Sequence, residues 1–270
     1  MTAGVDFFLV LILRMAVSAA FVVAASMVAE RLGPFIGALI ATLPVSAGPA
    51  YVFLAVDHDS GFIAASALAS LPMNAATVLM NLVIIGLARR LPVTIGLAAG
   101  ICLWFAVAML VRSFAWTLLG GVGLNIFAFA LSLPAAERFR TAKTPPVARR
   151  WYDIPLRAGL VAALVATLVL GANFFGPRLS GVIALFPVVF TSLILILGPR
   201  IGAQATVAVL ANAQWGMIGL SLALVVLGLA AEPLGRAAAL SLALATCVFW
   251  NLGLFLYQRR REAPARAATT

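Results

Sequence analysis

The chain predicts an all-α fold, a polytopic membrane bundle of about nine transmembrane helices with inverted-topology repeats (four plus one plus four). Three observations carry that reading. First, 64% of the 270 residues are hydrophobic and only 10% are charged, with a mean hydropathy of +1.14. Apolar runs long enough to cross about 30 Å of hydrocarbon therefore recur along the chain. Second, a stretch near the start returns 143 positions later without a gap. LRMAVSAAFVVAASMVAERLGPFIGALIATLPV, from Leu13, aligns with LRAGLVAALVATLVLGANFFGPRLSGVIALFPV, from Leu156. Twelve of the 33 positions are identical, among them Arg14 with Arg157, Gly33 with Gly176, Pro34 with Pro177, Ile40 with Ile183 and Pro44 with Pro187. Third, basic residues segregate between alternate loops.

Hydropathy and polar breaks place the spans at roughly 6 to 28, 34 to 55, 62 to 88, 91 to 111, 115 to 134, 154 to 174, 178 to 198, 201 to 230 and 234 to 257. The first span has no positive n-region and carries Asp6 instead, which reads as a retained helix rather than a cleaved signal. The second and seventh carry proline mid-span: Pro44 with Gly48 and Pro49, and Pro187. Proline removes a backbone donor and clashes with the preceding turn, so both helices are expected to break near the membrane midplane. Carbonyls freed there must face protein or a water-filled cavity.

Helices one to four match six to nine, and helix five is the extra crossing that turns the second copy over. LVIIGLARR from Leu82 and LVVLGLAAE from Leu224 extend the match. The expected organisation is a first repeat over 1–112, a linking helix and cytoplasmic linker over 113–153, a second repeat over 154–258, and a disordered basic tail over 259–270. Cys102 and Cys247 fall within spans and read as small packing residues. Trp116, Trp151, Tyr152 and Tyr257 sit at span ends as interfacial anchors.

Orientation follows from the loops. One face collects thirteen cations: Arg31, Arg89, Arg90, Arg138, Arg140, Lys143, Arg149, Arg150, Arg200, Arg259, Arg260, Arg261 and Arg266. The other has Arg112, Arg178 and Arg236 with the acidic Asp57 and Asp59. The C-terminus is therefore expected in the cytoplasm and the N-terminus outside, in a multi-pass inner-membrane protein. The net charge of +10 reports topology, since it is spread over short loops instead of forming a nucleic-acid surface.

Candidate site residues follow from polarity within spans. Ser66, Ser70, Asn74, Thr77 and Asn81 stack on one side of helix three, a stripe that lipid does not tolerate. Helix eight supplies Gln204, Thr206, Asn212, Gln214 and Trp215. Thr42 and Ser46 flank the first break, while Thr191 and Ser192 follow the second. Arg14 lies about 12 Å into the first span with no acidic residue expected at its depth, so it is a binding candidate by default. Arg157 is one turn from Asp153, where snorkelling to the cytoplasm is easier. The substrate-binding set is Arg14, Thr42, Pro44, Ser46, Ser70, Asn74, Pro187, Thr191, Asn212, Gln214 and Trp215. Hydrogen bonding between helices is the plain alternative for the stripes.

The expected function is a membrane transporter of a small polar or anionic solute by alternating access, because paired interruptions in two halves point to a midplane site. The alternative is a non-transporting membrane subunit or assembly factor with a filled interior. All eight acidic residues fall in loops or at span ends, so a buried carboxylate relay is missing. Sodium held by carbonyls and amides, or protonation of the substrate, are the couplings left open, as is homo-oligomerisation. No catalytic residue, cofactor or metal site is expected; His58 between Asp57 and Asp59 hints at a divalent cation, but such a loop is usually only solvated. The segments FIGALIATLPVSAGPAY, from Phe35, and LSGVIALFPVVFTSLILI, from Leu179, resemble the glycine, apolar, proline pattern of the small GlpM-like inner-membrane proteins. Those have about four spans, so the resemblance implies a fused pair and an inner-membrane location.

Overall fold

A computed structural model describes residues 2–31, 42–44, 46–140 and 150–267. They are helical, with no strand among them. In chain order the helices are α1 (Thr2–Arg31), α2 (Ala47–Asp57), α3 (Ser60–Leu87), α4 (Val93–Ser113), α5 (Leu118–Glu137), α6 (Asp153–Ala184), α7 (Val188–Leu234) and α8 (Arg236–Ala267). Gly33, Pro34 and Ile40 of the repeat motif, and Lys143 and Arg149 of the linker, lie outside the described residues.

Two helices turn within their length. α6 leaves helical geometry at Gly176 (φ 67°, ψ 179°) and α7 at Gly202 (φ 80°, ψ 169°). Nothing stands within 4 Å of where a Cβ would sit at either, so the backbone conformation alone demands glycine. The first turn falls between the expected sixth and seventh spans, and the second at the start of the expected eighth.

Six helices are long and apolar enough to cross a membrane: Ser60–Leu87, Val93–Val111, Leu118–Glu137, Asp153–Ala172, Gly198–Leu234 and Arg236–Arg260. Phe174–Ala184 and Val188–Ile196, bent by 45° relative to one another, add a seventh if taken as one span. Among the described residues six or seven such spans stand beside the nine expected from the sequence. The apolar stretches Leu9–Ala25 and Ala47–Asp57 are shorter, and the expected span from 34 to 55 lies partly outside the described residues. Proline is the reason in the second half: Pro187 has no N–H to continue the helix, and the chain restarts at Val188. α8 runs on to Ala267, so the basic tail expected to be disordered from 259 is helical that far.

α3 is the central helix. Of its most apolar 18 residues 78% are buried, and it packs on α4, α5, α6 and α7, while α1 lies along α6 and α8 along α7. Close approach needs small residues, as in membrane interfaces generally. A Cβ on Gly181 would stand 2.1 Å from the Ser66 carbonyl oxygen, and one on Gly216 would stand 2.1 Å from Thr42 Oγ1. Ile126, Phe127, Phe174 and Phe249 turn outward, which suits a hydrocarbon solvent.

Two ion pairs mark opposite ends of the bundle. At one, Arg14 pairs with Asp57 and binds its Oδ1 at 2.8 Å; Arg236 donates to the His58 carbonyl beside them. At the other, Asp153 at the start of α6 accepts from Arg200 at 2.6 and 2.8 Å.

Candidate functional site

The two breaks meet. Thr42, Leu43, Pro44 and Ser46 from the first half and Leu185, Phe186 and Pro187 from the second line one cavity, closed by Asn74 and Thr77 of α3 and by Met217 and Leu220 of α7. Its volume is about 40 Å³, more than the roughly 15 Å³ that a single water requires. Local sequence builds both walls. The 2.9 Å bond from Phe186 N–H to Ile183 O tightens the end of α6, and Thr191 N–H to Pro187 O (2.9 Å) opens α7. In the first half Gly48 N–H closes on Pro44 O at 2.6 Å as α2 begins. The N-termini of α2 and α7 thus both start at this cavity.

Behind it lies a polar network joining three helices. Asn74 Nδ2 donates to Asn125 Oδ1 of α5 (3.0 Å), to Ser221 Oγ of α7 (2.7 Å) and, more weakly, to the Met217 carbonyl (3.4 Å). Ser221 Oγ donates to Asn125 Oδ1 at 2.7 Å, and Asn125 Nδ2 donates to the Leu71 and Gly121 carbonyls, each at 2.8 Å. Asn74 and Ser221 therefore both depend on one oxygen of Asn125.

Five of the eleven expected site residues line the cavity: Thr42, Pro44, Ser46, Asn74 and Pro187. The others stand elsewhere. Ser70 donates to Gly181 O at 2.7 Å and shares a 2.6 Å bond with the Tyr51 hydroxyl, while Ser66 donates to Pro177 O at 3.0 Å. That part of the α3 stripe is interhelical adhesion. Gln214 donates to the Val78 carbonyl at 3.1 Å, and its Oε1 is buried without a partner, like Thr191 Oγ1. Asn212 is held by Arg140, whose Nε donates to Asn212 Oδ1 at 3.0 Å and whose carbonyl accepts from Nδ2 at 3.2 Å. The same guanidinium lies 5.6 Å from the Trp215 ring centre, so Asn212 and Trp215 form a cap with the end of α5.

Arg14 is not at the cavity, and its depth is not empty of acid: Asp57 neutralises it. The rest of the acidic loop is equally occupied. Asp59 caps α3 through Phe62 N–H (2.8 Å), and His58 stacks on Phe62 with ring centres 3.9 Å apart. Among the described residues no group of three metal-binding side chains converges. At the opposite end the hydrogen bond from Arg200, and then that from Arg150, hold the Tyr152 hydroxyl below its usual value.

Sequence reasoning missed Asn125, Ser221 and Tyr51. Asn125 carried a signal, as the one carboxamide in LLGGVGLNIFAFALSLP; Ser221 and Tyr51 carried none that separates them from ordinary packing. No known family model, curated protein or solved structure matches this chain.

Proposed function

We propose that this protein is an integral membrane transporter that moves a small polar solute by alternating access between two inverted four-helix repeats. The observation that carries the reading is the cavity walled by both helix breaks, one from each half, with Asn74 between them. The repeat reading draws support from element boundaries. Moved by 143 residues, Ser60 at the start of α3 falls on Ala203, just past the turn at Gly202, and Val93 at the start of α4 falls on Arg236, the first residue of α8. Asn74 and Met217, themselves 143 apart, are hydrogen-bonded where α3 crosses α7. Asn74 also reaches Ser221 while Val78 accepts from Gln214, so the partners progress in opposite directions, as inverted copies require.

On this reading nine crossings, two of them broken, put the N-terminus outside and the C-terminus in the cytoplasm of an inner membrane. Arg14 with Asp57 closes the outer end, and Asp153 with Arg200 closes the inner one. Opening either pair while the other holds exposes the cavity to one side at a time. Among the described residues no carboxylate lines the cavity, so coupling falls to sodium or to a proton carried by the solute. The bilayer and the solute are the partners; neither a cofactor nor nucleic acid enters.

A non-transporting membrane subunit is the second reading, favoured by the interhelical bonds of Ser66 and Ser70. Proteoliposome swelling in gradients of small polar solutes separates the two. Solute-dependent swelling at least about tenfold faster than in empty liposomes, and suppressed by Ala47→Leu in the cavity wall, is the transporter result. Identical rates with and without well-folded protein leave the subunit reading.

A further inference from the structure

We propose that the cavity between the two breaks takes an uncharged ligand that donates one hydrogen bond from a short apolar body: a primary amide, an alcohol or a protonated carboxylic acid. This rests on the reading of that cavity as the solute site.

The polar anchor is Asn74 Oδ1. Asn74 is fully buried and lines the cavity, yet this oxygen has no hydrogen-bond partner. Its identity as oxygen is determined by the network. Asn125 Nδ2 is committed to two carbonyls, so Asn125 Oδ1 must accept, and Asn74 must meet it with its NH₂. A flipped Asn74 amide would place oxygen against Asn125 Oδ1 and against the Met217 carbonyl together. The free atom is therefore an acceptor, and a donor on the ligand completes it.

The remaining wall decides the ligand's charge and body. Thr77 is occupied, donating to Met73 O and accepting from Trp104 Nε1, and the Thr42 hydroxyl donates to Asn251 Oδ1. Ser46 at the head of α2 also lines the cavity and makes no side-chain cap bond. Leu43, Leu185, Phe186, Phe190 and Leu220 supply an apolar surround, and among the described residues no ionisable side chain lines the cavity. An ion would lose its hydration there without gaining a counter-charge. The N-termini of α2 and α7 further disfavour a cation, and the unpartnered oxygen of Asn74 disfavours an anion. A neutral donor satisfies all three conditions. The size restricts the ligand further: benzene occupies an apolar cavity of about 150 Å³, and at about 40 Å³ this one seats the donor head group and little more, so the body must be short.

The test is thermal unfolding of the purified full-length protein in nanodiscs with propionamide, sodium propionate at pH 7.5 or propylammonium chloride. Propionamide is expected to raise the unfolding temperature saturably, by about 3 °C at ten times its dissociation constant, with no saturable rise from either ion. Asn74→Leu removes the acceptor and abolishes the shift. Because Asn74 also ties α3 to α5 and α7, Ala47→Leu serves as a second variant that fills the cavity without touching that network, and it also abolishes the shift. No propionamide response in wild type, a response that survives Ala47→Leu, or an equal response to either ion overturns the inference. Propionamide binding without propionamide flux in proteoliposomes keeps the inference and removes the transporter; cavity-dependent flux of an ion alone does the reverse.

Discussion

At the scale of single residues, Asn125 decides whether the centre of the bundle is satisfied. Its one oxygen accepts from both Asn74 and Ser221, so Asn125→Ala leaves two buried donors short of an acceptor and should cost about 1–3 kcal/mol. Thermal unfolding in detergent reads that loss, and an unchanged transition would show the network to be dispensable. Gly181 is the corresponding steric point. A side chain there meets the Ser66 carbonyl at 2.1 Å, and backbone cannot yield cheaply, so Gly181→Val should destabilise by about 1–3 kcal/mol. The residue scale is also where sequence reading was least complete. Asn74 was legible because it repeats a polar spacing on α3, whereas the partner of Arg14 was not. Asp57 sits 43 positions away, and its depth depends on where α2 stops, which no local pattern specifies.

Between residue and molecule, the broken helices carry the argument. Pro44 and Pro187 were readable as interruptions because proline cannot supply the N–H a helix needs, and both do line one cavity. Less readable was that the stripe of serines and asparagines divides its duties. Ser66 and Ser70 bind the second half's backbone, while Asn74 and Thr77 reach the cavity; periodicity gives the face of a helix and not the object that the face meets. Two outcomes belong to this scale. Pro187→Ala restores a backbone donor at the bend between Phe174–Ala184 and Val188–Ile196. It should leave the unfolding temperature level or higher while lowering solute flux at least about tenfold. For the pair of Arg14 with Asp57, a double-mutant cycle of Arg14→Gln with Asp57→Asn should give a coupling of about 1 kcal/mol, since the pair is partly exposed. A coupling of zero would mean that α1 and α2 are held together by packing alone.

For the whole molecule, composition made the all-helical membrane bundle legible, because only helices satisfy their own backbone in hydrocarbon. The number of crossings was less so. Hydropathy cannot tell a continuous span from two short helices meeting at a bend, and Phe174–Ala184 with Val188–Ile196 is such a pair. The central claim is that a single cavity opens alternately to the two sides. It is tested most directly by labelling Ser46→Cys, in a background with Cys102→Ser and Cys247→Ser, with a membrane-impermeant maleimide added from either side of oriented membranes. The account predicts labelling from both sides. It further predicts that Asp57→Asn, which frees Arg14 at the end proposed to face outside, shifts labelling toward the outside, and that Asp153→Asn shifts it toward the cytoplasm. Labelling from one side alone, unmoved by either substitution, would contradict alternating access and leave a membrane protein whose polar interior serves only to hold its helices together.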